Sequence, residues 1–182
     1  MKKSWNFGIN KILISEADLS KRIKELGAQI TNDYKNSEKP LIIVCLLKGS
    51  ILFMSDLCRE IKLPLKMDFL SVSSYGDGFS SSGEVKILKE LDETIMGKDV
   101  LIVEDIIDTG RTLDKIISIL SIREPNSLKI VSLLDKPSRR EVEMEGDYIG
   151  FIIPNEFVIG YGLDYKQEYR NIPYIGVMGS DI

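Results

Sequence analysis

Apolar runs without polar interruption alternate along this chain with stretches of helical spacing. Leu41 to Leu46 and Val100 to Val103 are wholly apolar, the pattern of parallel strands covered on both faces. Met67 to Val72 and Leu128 to Leu134 read as further strands. Ile51 to Ile61 reads as a helix ended by Pro64, and Leu113, Ile116, Ile117 and Leu120 recur at helical spacing. Two strand–helix–strand units predict an α/β fold, a central parallel twisted sheet with helices on both faces. Upstream, Ser15 followed by Asp18 predicts a helix start, with Leu19, Ile23, Leu26 and Ile30 on one apolar face. After Asp135 the texture changes. A basic stretch, Lys136 to Arg140, meets an acidic one, Glu141 to Asp147, and Arg139-Arg140 reads as a solvated pair. Short strands are predicted at Tyr148 to Ile153 and Phe157 to Tyr161, and a last one at Tyr174 to Met178. The expectation is one domain over residues 1–182, with a small hood from about 1–12 and 136–170.

The stretch from Val100 to Thr112 carries the most chemistry. Its strand is expected to end on Glu104 and Asp105, followed by Asp108-Thr109-Gly110-Arg111-Thr112 and then a helix. Loop amides and a helix N-terminus suit a phosphate dianion, with the Thr109 and Thr112 hydroxyls as extra donors. The neighbouring carboxylates would repel that phosphate unless they serve sugar hydroxyls or a divalent cation. In parallel sheets ligands gather at the carboxyl ends of the strands, where Lys48-Gly49 also falls. Between the two units, Ser73 to Gly83 is mostly Ser and Gly, an excursion expected to act as a lid, with a plain surface loop as the alternative.

Composition narrows the chemistry. The 182 residues contain no histidine, which excludes Ser-His-Asp and Cys-His machinery and histidine-ligated zinc within one chain. Proton transfer falls to carboxylates, lysine or tyrosine, and any metal should be hard and oxygen-bound, magnesium above all. A net charge of −4 gives no reason to expect nucleic-acid binding. The longest apolar run is too short for a bilayer, and no apolar segment follows Lys2-Lys3, so a cytoplasmic protein without membrane contact is expected. Cys45 and Cys58 suit free thiols in a reducing compartment.

Val103 to Thr112 resembles the phosphoribosyl-pyrophosphate motif of type I phosphoribosyltransferases, a Rossmann-like family. Leu47-Lys48-Gly49-Ser50, Ser74-Tyr75-Gly76, Leu134-Asp135-Lys136 and Phe157 through Arg170 resemble the hypoxanthine-guanine branch, in its order. The resemblance implies transfer of a 5-phosphoribosyl group to N9 of hypoxanthine or guanine, giving IMP or GMP and releasing pyrophosphate. It implies that Glu104 and Asp105 serve the ribose hydroxyls and magnesium, and that Asp108 to Thr112 hold the 5-phosphate. Lys48 and Gly49 would meet pyrophosphate after a cis peptide, and Arg170 would reach it too. Lys136 would donate to the purine O6, Phe157 would stack on the ring, and the Val158 backbone would read its edge. Asp164 would hold a second magnesium, Asp108 would accept the purine proton, and Ser74 and Tyr75 would belong to the lid. Arg111 departs from the lysine of many relatives. A homo-oligomer, dimer or tetramer, is expected. Three alternatives stand beside this reading: a xanthine-preferring enzyme, a regulatory member binding nucleotide or RNA, and a generic nucleotide-binding module.

Overall fold

The Ser15 hydroxyl accepts the Asp18 amide at 3.2 Å and opens helix α1, Glu16–Tyr34. Its Leu19, Ile23, Leu26 and Ile30 are all buried, the face that their spacing predicts. The computed structural model describes residues 8–74 and 85–179. Around α1 the chain runs β1 (Ile9–Ile14), β2 (Leu41–Leu47), α2 (Ile51–Glu60), β3 (Leu65–Ser74) and β4 (Val85–Lys89). It continues through β5 (Asp99–Ile107), α3 (Arg111–Ser121), β6 (Ser127–Asp135), a 3-10 turn (Pro137–Arg139), β7 (Tyr148–Ile152), β8 (Val158–Ile159) and β9 (Ile175–Met178).

Six strands form one sheet in the order β4-β3-β2-β5-β6-β7, parallel except for β4 at one edge. The alternation of β2 explains why helices cover both faces. Leu41, Ile43 and Cys45 pack with α1 and with Phe53, Met54 and Leu57 of α2. Ile42, Val44 and Leu46 join Leu113, Ile116 and Leu120 of α3 on the opposite face. Each fully buried side chain of this kind contributes about 1.5–3 kcal/mol over leaving it in water.

A second, three-stranded sheet has the order β1-β9-β8. Its composition differs from the expected hood. Tyr148–Ile152 pairs with β6 in the main sheet, and Ile175–Met178, beyond the expected boundary, is the middle strand of the small one. The strand expected from Phe157 to Tyr161 keeps ladder pairing only at Val158 and Ile159. β1 and β4 were not expected as strands at all. Ser74 pairs with Val85 at the end of the β3–β4 ladder. Tyr75 and the rest of the expected lid lie outside the described residues.

Candidate active site

Strand β5 does not stop at its acidic pair. β2 pairs with it only as far as Cys45–Val103, whereas β6 follows it to Ile107–Asp135. Glu104 and Asp105 are therefore strand residues with an open side where β2 has left. β2 leaves through a cis Leu47–Lys48 peptide, and the Ser50 hydroxyl donates back to the Leu46 carbonyl. Gly49 falls into the gap against Asp105. A Cβ on Gly49 would overlap the Asp105 carboxylate, and a Cβ on Gly162, at φ +102°, would strike the Gly49 carbonyl. Gly162 demands glycine, because its φ is positive and backbone lies against it, while at Gly49 a Cβ would displace the Asp105 carboxylate from its present place.

Beyond Ile107 the chain turns through Asp108, Thr109 and Gly110 into α3. Gly110, at φ +82°, has no side chain to cap the helix, the Arg111 amide has only the Thr109 hydroxyl at 3.5 Å, and a hollow of about 130 Å³ opens beside this helix start. Glu104, Asp108, Thr109, Gly110 and Thr112 line that hollow. Arg111 turns away from it and pairs with Glu141. The hollow offers amides, hydroxyls and a helix dipole to an anion, with no cationic side chain in its lining.

On the next strand end, Lys136 is only 6% exposed, and its amide donates to the Ile107 carbonyl at 3.0 Å. Burial lowers the pKa of its ammonium, Asp108 opposes that shift, and Arg139 adds to it. Phe157, expected either in the core or as a stacking platform, is 55% exposed and meets Tyr165 edge-to-face at 5.9 Å. Val158 beside it is buried in β8. Facing Glu104 and Asp105 is a linked set of polar groups. Arg170 reaches Asp164 at 2.6 Å and the Gly162 carbonyl at 2.6 Å. Asp164 also accepts the Gln167 amide at 2.9 Å, and Lys48 donates to the Gln167 side chain at 3.3 Å.

A Phosphoribosyl transferase domain model matches residues 14–166. The chain belongs to the phosphoribosyl transferase family. It is 58% identical to a hypoxanthine phosphoribosyltransferase of Salmonella typhimurium over 166 residues, 91% of this chain and 93% of the relative. A hypoxanthine phosphoribosyltransferase of Escherichia coli K12 is 59% identical over the same length, with the same coverage. A crystal structure of a hypoxanthine phosphoribosyltransferase from Staphylococcus aureus superposes with a TM-score of 0.92 at 51% identity, covering 98% of this chain and 96% of the other.

For a phosphoribosyl transferase the acidic pair is the natural place for a cation. Burial, reinforced by Asp105, pushes the Glu104 pKa up. Burial likewise raises Asp105 to about 6, with the Asp164 charge adding while amide hydrogen bonds and Arg170 oppose. Two carboxylates with raised proton affinity gain from a divalent cation beside them. Among the described residues no group of three or more acids could hold a metal alone. Magnesium usually binds through one or two carboxylates plus substrate phosphates, so this donor set fits it.

Arg139 and Arg140 are not the solvated pair expected of them. The Arg140 side chain is 14% exposed and is shared between the Asp108 carbonyl, at 2.5 Å, and the Asp135 carboxylate. Arg139 donates to the Asp108 carboxylate at 3.1 Å. Sequence reading also missed Tyr161. It has φ +48° and its hydroxyl binds Asp56 on α2, joining the Gly160–Asp164 loop to the helix behind Lys48. A basic pair one turn beyond a strand-end lysine, opposite the acids at 104, 105 and 108, was the available signal for the arginines.

Proposed function

We propose that this chain is a hypoxanthine phosphoribosyltransferase of purine salvage. The observation that carries the reading is the phosphate-sized hollow at Asp108 to Thr112 set beside a buried lysine and an exposed Phe157. The 58% identity to the Salmonella typhimurium enzyme over most of both chains supports the same base. Phosphoribosyl pyrophosphate and a 6-oxopurine are the substrates of this reading, with guanine as a second base.

The hollow takes the 5-phosphate through loop amides and the Thr109 and Thr112 hydroxyls. Glu104 and Asp105 orient the ribose hydroxyls, while Lys48, the Gly49 backbone and Arg170 meet the pyrophosphate. Glu104 and Asp105 would hold one magnesium and Asp164 a second, each completed by substrate oxygens, and these would neutralise the leaving pyrophosphate. Phe157 stacks on the purine, the Val158 backbone reads its edge, and Lys136 donates to O6. As the C1–oxygen bond to pyrophosphate breaks, N9 attacks C1 and Asp108 accepts the purine proton. General-base help of this kind is worth about 100- to 10,000-fold. Ser74 and Tyr75 are proposed to root a lid that keeps water from the reactive sugar.

The proposed enzyme is one domain, cytoplasmic and homo-oligomeric. Among the described residues no helix is long and apolar enough to cross a membrane. Ile51 and Met67 stand exposed around an apolar groove with Met54, Cys58, Leu65 and Phe69, which supports self-association and is checked by sedimentation. The test of function is one assay with phosphoribosyl pyrophosphate, magnesium and hypoxanthine, guanine, xanthine, adenine and uracil. Hypoxanthine should be fastest and adenine negligible, because a buried donor facing the adenine amino group loses its hydrogen bond. Adenine turned over as fast as hypoxanthine would sink the reading.

A further inference from the structure

Two adjacent arginines leave β6 with different attachments. Arg140 is mostly buried and held at two points, so it braces the loop. The Arg139 side chain is 46% exposed and has one partner among the described residues, the Asp108 carboxylate, itself 42% exposed. An exposed single-contact pair is weak and easily exchanged. The other arginines of the site are already committed elsewhere. Arg111 is on Glu141, Arg140 on Asp135 and Arg170 on Asp164.

The hollow beside Asp108 is lined by two acids, Glu104 and Asp108, and by no basic side chain. A phosphate entering it brings negative charge against both. Arg139 is the cation held on a group of that lining, Asp108, which is also the group that must face the purine. We infer that Arg139 exchanges partners during the cycle. It holds Asp108 in the empty site and turns to the 5-phosphate when sugar phosphate fills the hollow. That leaves the Asp108 carboxylate free for the purine N–H. The swap moves no proton and breaks no covalent bond. Once Asp108 has taken the purine proton it is neutral, and the attraction that would draw Arg139 back is gone.

The inference rests on the proposed phosphate loop, and its test separates the two. Ribose 5-phosphate is titrated calorimetrically into wild type, Arg139→Ala, Asp108→Asn and the double variant. Removing Arg139 from wild type should weaken binding about 10-fold, a charge-assisted hydrogen bond less the pair given up. In the Asp108→Asn background no pair has to break first, so the same removal should cost more, about 30-fold. Arg139→Lys should recover part of the affinity, since it keeps the charge without the planar fork. Arg139→Gln repeats the experiment with a longer stem in case the alanine variant folds poorly. Equal affinity with and without Arg139, or a loss in the Asn background no larger than in wild type, overturns the exchange. A wild type that ignores ribose 5-phosphate overturns the phosphate loop as well.

Discussion

Replacing Lys136 with methionine should stabilise the fold while slowing the enzyme. The lysine is 6% exposed, and no side-chain hydrogen bond offsets the burial of its ammonium among the described residues. Burial lowers its pKa, Arg139 pushes the same way and Asp108 resists. A base whose folded pKa is lowered binds fewer protons folded than unfolded, so its charge destabilises the fold. That cost is complete below the folded pKa. It fades as pH rises through it toward the unfolded lysine value of about 10.4. Exchanging a buried charge for an apolar group of similar volume is neutral or stabilising, by about 1–4 kcal/mol. The Asp108 attraction places Lys136 near the low end, about 1 kcal/mol, which raises Tm by about 2–4 °C in a chain of this length. Activity should move the other way. Loss of a charged donor to O6 is worth about 1.5–3 kcal/mol, or about 10- to 150-fold in kcat/KM for hypoxanthine. Thermal unfolding at pH 7 and pH 10, with steady-state kinetics at pH 7, makes the measurement. A methionine variant less stable than wild type at pH 7, or one whose advantage persists unchanged at pH 10, would refute the reasoning.

Asp108→Asn should lower the single-turnover rate by about 100-fold or more, with phosphoribosyl pyrophosphate affinity kept or tightened about 3-fold as Arg139 is released. A loss below about threefold would leave Asp108 as a loop-shaping residue, since asparagine caps nearly as well. Gly162→Ala forces a Cβ into the Gly49 carbonyl at a positive φ, so kcat/KM should fall by about 100-fold while circular dichroism stays native. Exhaustive chelation should abolish turnover and added magnesium should restore it; full activity without metal would contradict the role given to Glu104, Asp105 and Asp164. Arg140→Met strands the Asp135 carboxylate, and urea unfolding should register a loss of about 3 kcal/mol, partly recovered by adding Asp135→Asn.

The parts legible in the sequence are those whose periodicity and burial agree. β2 is apolar without a break and β5 is so from Val100 to Val103 because both faces are covered there, while α1 and α3 show one apolar stripe each. β4, with Lys86 and Lys89 among its five residues, is a strand because β3 supplies partners across a hairpin, which no local pattern announces. The extension of β5 past Val103 depends likewise on β6 staying alongside after β2 departs. Residue types at the site were readable, and their environments were not. Lys136 and Arg140 look like surface charges until Asp108, Asp135 and the loop around them close in. Phe157 sits in an apolar run yet is exposed, because Val158 and Ile159 take the buried positions of β8.

The small sheet also sets an order of events during synthesis. Among the described residues β1 pairs only with β9, β8 pairs with β9 as well, and Phe157 accepts the Met178 amide through its carbonyl. The six-stranded sheet, by contrast, has all its strands once Ile152 has emerged. From Ile152 to Met178 is 178 − 152 = 26 residues. At roughly 5–20 residues per second that is about 1–5 seconds of translation. Throughout that interval a nascent chain carries the Asp108–Thr112 loop on a complete six-stranded sheet while β1 waits unpaired. Of the two sheets, the small one that carries Val158 closes second.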